Sequence, residues 1–212
     1  MVQQRLLEIA IAEFAAKGLE GASTRGIAAK AGTAMSSITY HFGGKEGLYL
    51  AAADYIAAQI GNHVAPEIQQ GGVPTDTTPE GARTLIHEML GRLIATMAEK
   101  KNSALSLFMM REQMEPTEAF ERIYGGLKAR MIDILVELVR IATGRRDDPA
   151  AQVAVITLMG QVLVLRASRA TVLKLLQRDD IDAATATLLT ARIAANTDAI
   201  LDSLIAERQE LP

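Results

Sequence analysis

The chain contains no cysteine, which excludes a disulfide framework, thiolate chemistry and any cysteine-based metal site. A reducing cytoplasm suits such a protein. Aromatic residues make up only 4% of a sequence that is 49% hydrophobic, so its cores must be built mainly from aliphatic side chains. Also lacking is an uninterrupted apolar stretch of about 20 residues, the length a bilayer span requires. The longest run, Val153 to Leu165, contains Gln161 and is followed by Arg166 and Arg169; it reads as a helix buried on more than one side. Charges occur throughout residues 1–20, so no secretory signal is expected there. Strand-like alternation is missing as well, and the 3.6-residue period that persists along the chain predicts an all-α fold.

Signatures of catalysis are equally scarce. The three histidines, His41, His63 and His87, fall on separate predicted helices. No Ser/His/Asp arrangement, phosphate-cradling glycine loop or HExxH pair is present. Arg111 and Glu112, like His87 and Glu88, are sequence neighbours, and neighbours on a helix point in different directions. The expectation is a protein that is not an enzyme and has no metal site and no cofactor.

Against this background one stretch carries specific information. Ser23 is placed to cap a helix whose Ile27, Ala28 and Ala31 form an apolar face. Gly32 can adopt the left-handed conformation that reverses the chain, as a helix-turn-helix requires. A second short helix, about Met35 to Phe42, offers Ile38 and Phe42 as apolar anchors and otherwise presents Ser36, Ser37, Thr39, Tyr40 and His41. Small hydroxyls allow close approach to base edges, and Tyr or His can donate to phosphate oxygens. Lys45 then opens a further helix, where its charge and the free backbone N–H groups would both favour a phosphate.

Arg5 to Glu8, Phe14 to Gly18, Ser23 to Ala28, Ala31-Gly32 and Tyr40 to Leu48 together resemble the N-terminal domain of the TetR family of bacterial transcriptional regulators, up to about residue 60. The resemblance implies a three-helix DNA-binding domain over residues 1–62. It implies DNA contacts from Thr24 and Arg25 at the start of the second helix, from Met35, Ser36, Ser37, Thr39, Tyr40 and His41 on the recognition helix, and from Lys45. Ile38, Phe42 and Leu48 are assigned to packing. Two positions depart from the common pattern: Gly26 stands where an acidic residue often sits, and Thr39 replaces the first of a frequent Tyr-Tyr pair.

Charge bears on how DNA would be held. The formal net charge is −3, but through residue 50 five Lys/Arg (5, 17, 25, 30, 45) face four Asp/Glu (8, 13, 20, 46). A nearly neutral reading domain gives little non-specific affinity, so binding would depend on placed contacts and on two half-sites acting together.

Residues 63–212 form the second expected domain, for effector binding and dimerisation, whose first helix follows the turn-forming stretch Gly71 to Pro79. Helices are predicted over about Glu80 to Lys100, a short segment after Asn102-Ser103 containing Leu107 to Met110, Thr117 to Ala142 with Gly125-Gly126 as a kink or close crossing, the apolar run, and Ala183 to Arg208. Gly144 to Pro149 reads as a turn. On the last helix Leu189, Ile193, Ile200 and Leu204 make a stripe that, with the apolar run, exceeds what one bundle buries. A homodimer through the two C-terminal helices is expected, with Leu204 facing the partner.

Met110 to Phe120 also looks like the CecR-type C-terminal domain of one TetR branch. The resemblance implies a ligand-responsive regulator, a repressor released from a palindromic operator by a small-molecule effector. Flexible and aromatic side chains at Phe108, Met109, Met110, Met114, Tyr124 and Met131, with Arg111, Gln113, Arg166 and His87 as polar partners, are the candidate effector site. The competing reading is a helical scaffold without DNA binding, which would show no retention on palindromic DNA.

Overall fold

The computed structural model describes residues 2–61, 72–99, 103–125, 129–145 and 149–210. Two compact units divide the chain, and they are not consecutive stretches: residues 1–62 join residues 101–129, while residues 63–100 join residues 130–212. A division made only between residues 62 and 63 therefore misses an insertion from the later sequence. His63, Asn102 and Gly126 lie outside the described residues.

In the first unit α1 (Val2–Gly21), α2 (Thr24–Ala31), α3 (Met35–Phe42) and α4 (Lys45–Gly61) are joined by α6 (Ser103–Met114) and α7 (Glu118–Ile123). Leu6, Ala10, Ile11 and Phe14 recur at helical spacing on α1 and pack with Ile27, Ile38, Leu48, Tyr49, Ala52 and Ile56. Phe108, Ala119 and Ile123 complete that core, which is why the insertion belongs here. Phe14 meets the Tyr49 ring edge to face at 4.9 Å, and Tyr49 lies 4.7 Å from Phe108. Such aromatic pairs fix relative orientation as well as burying area.

Polar clamps accompany the packing. Helix α1 is interrupted at Gly18 (φ 73°, ψ 175°), which leaves the carbonyls of its last regular turn without their usual i+4 donors. Arg111 of α6 supplies replacements, its Nε donating to Ala15 O at 2.6 Å and its Nη2 to Ala16 O at 3.0 Å. Glu112, 2% exposed, accepts from the Tyr49 hydroxyl, from Thr117 N at 3.1 Å and from Thr117 Oγ1 at 2.8 Å. Burial and this carboxylate push the Tyr49 pKa up.

The second unit contains α5 (Pro79–Ala98), α8 (Ala129–Thr143), α9 (Ala150–Ala167), α10 (Arg169–Leu176) and α11 (Ala183–Glu210). Thr78 caps α5 by accepting from Gly81 N at 3.0 Å, with Pro79 at the first helical position. The core is aliphatic, with Ile86, Leu90, Ile94, Leu135, Leu138, Leu158, Val162 and Leu201 among its members. The stretch expected as one helix over Thr117 to Ala142 contains α7 and α8, and Gly126 of its glycine pair lies between them, outside the described residues. Helix α10 falls in a stretch to which the sequence assigned no element; Gln177, with φ 53°, ends it.

Two further corrections concern the expected interface. Leu204 is 8% exposed and Ile193 5% exposed, both in the core of this unit. Helix α9 is buried along one face only: Val155, Leu158, Val162 and Leu165 point inward, while Val153 (58%), Ile156 (70%), Leu163 and Val164 are exposed. Apolar surface is still presented by α9, by Leu175 of α10 and by Leu188 of α11, while the Leu189 to Leu204 stripe faces inward.

Candidate nucleic-acid interface and ligand cavity

Ser23 caps α2 by accepting from Gly26 N at 3.3 Å, and Gly32 closes the helix in the left-handed region (φ 68°, ψ 34°). Helix α3 follows at Met35. Its Ile38 is buried and Phe42 packs against the same core, so the helix is held by one face. Gly47 fixes the junction with α4: a Cβ there would lie 1.7 Å from the carbonyl oxygen of Phe42. Only glycine lets the first turn of α4 approach the end of α3 this closely.

The opposite face of α3 is polar and open. Met35 is half exposed, Tyr40 is 85% exposed, and Ser36, Thr39 and His41 are exposed. Ser37 is half-buried and shares a 2.9 Å hydrogen bond with Thr33, which ties it to the turn. Arg25 is exposed at the start of α2, beside half-buried Thr24. Lys45 donates to Glu20 O at 3.0 Å, an exposed bond that holds the ammonium at the opening of α4. His41 pairs with Gln3 of α1, Gln3 Nε2 lying 3.2 Å from Nδ1. Gln3 was not among the expected residues, since 38 positions separate it from His41 and no spacing rule connects them.

Behind this face the unit is braced. Glu13, almost buried, accepts from Lys17 at 2.8 Å and pairs with Lys30 of α2. Hydrogen bonds from Lys17 first and Lys30 second hold its carboxyl below the usual value, outweighing desolvation.

The expected effector residues do not converge. Phe108 is core of the first unit, Met110 is half-buried there, and Arg111 is committed to the Ala15 and Ala16 carbonyls. Gln113 is exposed, Met114 is 80% exposed, and Tyr124 stacks on Phe120 at 5.5 Å. In the second unit His87 Nε2 lies 3.0 Å from Asp198 Oδ1, which also accepts from Arg83 at 2.9 Å. Burial would raise the Asp198 carboxyl, but these two partners hold it lower. Arg166 donates to Thr96 O at 3.3 Å and to Glu99 O, while Arg169 donates to Ala98 O at 3.2 Å, so both cap the end of α5. Desolvation, then the charge of Arg169, pulls the Arg166 pKa down.

Of that set, Met131 lines an apolar hollow. Met89, Leu90 and Leu93 of α5, Met131, Ile132 and Leu135 of α8, and Met159 of α9 line this small, partly open hollow in the second unit. Three flexible thioethers on three helices make its wall adaptable. The buried carboxylate Glu112 was missed because adjacency to Arg111 argued against a shared site; its partners come from α4 and the turn before α7.

Comparison with known proteins adds lineage to this geometry. Residues 6–52 match the bacterial regulatory proteins of the tetR family, and residues 82–204 match the C-terminal domain of the HTH-type transcriptional dual regulator CecR. The CecR regulator of Shigella flexneri is 30% identical over 207 residues, 95% of this chain and 92% of that protein. A putative transcriptional regulator from Pseudomonas aeruginosa PAO1 shares the fold with a TM-score of 0.68 at 22% identity, over 96% of this chain and 90% of that one. AibR, solved with isovaleryl coenzyme A and operator DNA, does so with a TM-score of 0.67 at 16% identity, over 92% and 96%. A helix-turn-helix with a polar outward face, matched at both ends of the chain to regulators, establishes a transcriptional regulator of the TetR family with a CecR-type C-terminal domain.

Proposed function

We propose that the protein is a cytoplasmic homodimeric repressor that grips a palindromic operator with two copies of α3 and leaves it when a small molecule enters the second unit. The observation that carries this reading is the two-sided character of α3, with Ile38 and Phe42 packed inward and Ser36, Thr39, Tyr40 and His41 presented outward. Two recognition helices on one dimer match half-sites about one helical turn apart. The exposed apolar side chains of α9, with Leu188 of α11, supply a self-complementary surface for the dimer.

The effector reading rests on the apolar hollow and is narrower than the sequence suggested: Met131 stays in it, and Phe108, Arg111 and Arg166 leave it because their side chains are already engaged. Helix α5 runs in sequence into α6, and α7 runs into α8. A ligand that spreads α5 from α8 therefore pulls on both ends of the segment that completes the DNA-reading unit. The coupling is reciprocal, DNA and effector each weakening the other. AibR, a neighbour of the same fold, is solved in complex with isovaleryl coenzyme A and operator DNA, which supports a reading in which this chain also takes a small molecule as well as DNA.

Fluorescence anisotropy with an inverted repeat from upstream of the protein's own gene tests the DNA step. Arg25→Ala is expected to cost about 1–3 kcal/mol on the operator and to relax base preference, whereas Lys45→Ala weakens every duplex alike and lowers the salt slope by about 1. Equal affinity of the wild type for the repeat and a scrambled duplex would overturn the reading.

A further inference from the structure

We infer that Gln3 is a positioning residue for DNA contact: it binds His41 Nδ1 and so fixes the outward Nε2–H of that ring as a hydrogen-bond donor to a phosphate oxygen. The inference rests on the DNA-binding reading above. Gln3 lies in the first turn of α1 and His41 in the last turn of α3, with 3.2 Å between Nε2 and Nδ1. The neighbouring Gln4 is engaged elsewhere, on Glu8 at 3.2 Å, so of the two glutamines Gln3 serves the recognition helix. The rings beside His41 are aromatic: Tyr40 meets it edge to face at 4.9 Å and Phe42 lies 6.2 Å away.

A neutral imidazole has one donor and one acceptor nitrogen, and a hydrogen bond at one decides the state of the other. The Gln3 amide N–H donating to Nδ1 makes Nδ1 the acceptor and leaves the proton on Nε2. When the ring takes a second proton, Nδ1–H becomes a donor, and the amide can turn to offer Oε1. In both states the outward nitrogen donates. A glutamine, carrying both a donor and an acceptor, is the side chain that permits this.

Position favours a phosphate over a base as the acceptor. Base edges are read chiefly from the N-terminal part of a recognition helix, and His41 sits at the C-terminal end of α3, four residues before Lys45 and the opening of α4. Phosphate oxygens are acceptors only, so a fixed donor suits them.

The test uses the intact protein, whose only histidines are His41, His63 and His87. Long-range proton–nitrogen correlation spectra of the imidazoles, taken where the rings are neutral, are expected to show His41 wholly as the Nε2–H tautomer and Gln3→Met as a mixture. Operator affinity is expected to fall about two- to tenfold in Gln3→Met and not at all when the same change is made in a His41→Phe background. An Nδ1–H tautomer in the wild type, or an equal loss in both backgrounds, would overturn the inference. A fixed tautomer in a protein that does not prefer the operator to scrambled duplex would overturn the DNA-binding reading and this DNA contact with it, while operator preference with mixed tautomers would overturn the lock alone.

Discussion

All eight aromatic residues of the chain, Phe14, Tyr40, Phe42, Tyr49, Tyr55, Phe108, Phe120 and Tyr124, fall in the unit that carries the helix-turn-helix, and the other unit has none. The first unit is cross-braced: edge-to-face rings, a buried carboxylate with three donors, and an arginine seated on the end of a broken helix each demand one arrangement. The second unit is packed from Leu, Ile, Val, Ala and Met around a hollow. Directional contacts specify a geometry, whereas aliphatic contacts with thioethers among them tolerate repacking. Under the proposed function, a domain that must hold α3 at a fixed angle to DNA needs the first kind of interior, and a domain that would admit a ligand needs the second.

The largest effect expected from this comparison comes from putting a charge on the inner and outer faces of the second unit. Leu204→Arg buries an unpaired guanidinium in an aliphatic core at a position 8% exposed, and the protein is expected to lose about 3–5 kcal/mol or to fail to fold. Ile156→Arg places the same charge where the side chain is 70% exposed, so the fold should survive. What it should lose is self-association, with weakened operator binding as the consequence. Thermal melts separate the two variants, and light scattering after size exclusion reads the oligomer. A monomeric wild type at micromolar concentration would dispose of the dimer, and a dimeric Ile156→Arg would move the interface elsewhere.

How far these features were legible beforehand follows from the range of the interactions. Ser23, Gly32 and the apolar spacing of α2 and α3 act within a few residues, so the helix-turn-helix could be read directly. The face of a long helix is harder. On α11 the residues Leu189, Ile193, Ile200 and Leu204 show a clear stripe, but a stripe does not say whether it meets its own chain or another, and here it meets its own. Least legible were the contacts between distant segments. Nothing local tells that Phe108 joins Phe14 and Tyr49, that Arg111 ends α1, or that Gln3 reaches His41. The expected effector site was not assembled for that reason: its residues share a character, yet Phe108 is core and Arg111 a clamp of the first unit, Gln113 and Met114 are exposed, and His87 and Arg166 are bonded within the second unit.

A smaller effect sharpens the claim that the first unit is braced by specific bonds. Removing the Glu112 carboxylate strands the Tyr49 hydroxyl and the Thr117 donors, and Glu112→Ala is expected to cost about 1–3 kcal/mol. Tyr49→Phe, which keeps the ring between Phe14 and Phe108 and loses only one hydrogen bond, should cost about 1 kcal/mol. Chemical denaturation of each variant and of the double mutant gives the coupling. Additive losses would mean that the hydroxyl and the carboxylate act independently and that the network is no network.

The smallest expected effect concerns pH. Glu13 has its folded pKa lowered from the usual 4.5 by Lys17 and Lys30. A carboxyl with a depressed folded pKa contributes stability that is fully present above its unfolded value and is lost as pH falls through the folded one. Because Lys17 and Lys30 are 52% and 60% exposed, solvent screens both pairs and the contribution is modest. Glu13→Gln should therefore melt slightly below the wild type at neutral pH, and the gap should close as acid protonates the wild-type carboxyl. Salt should narrow the gap at neutral pH in the same way. The second unit supplies the control, since Asp198 is also held low, by His87 and Arg83: Asp198→Asn should show the same closing gap with acid while leaving unchanged the hydrogen-exchange protection of α1 and α2, which Glu13→Gln should reduce. A gap for Glu13→Gln that persists unchanged below the folded pKa would show that the residue acts through packing and that its two lysines contribute nothing.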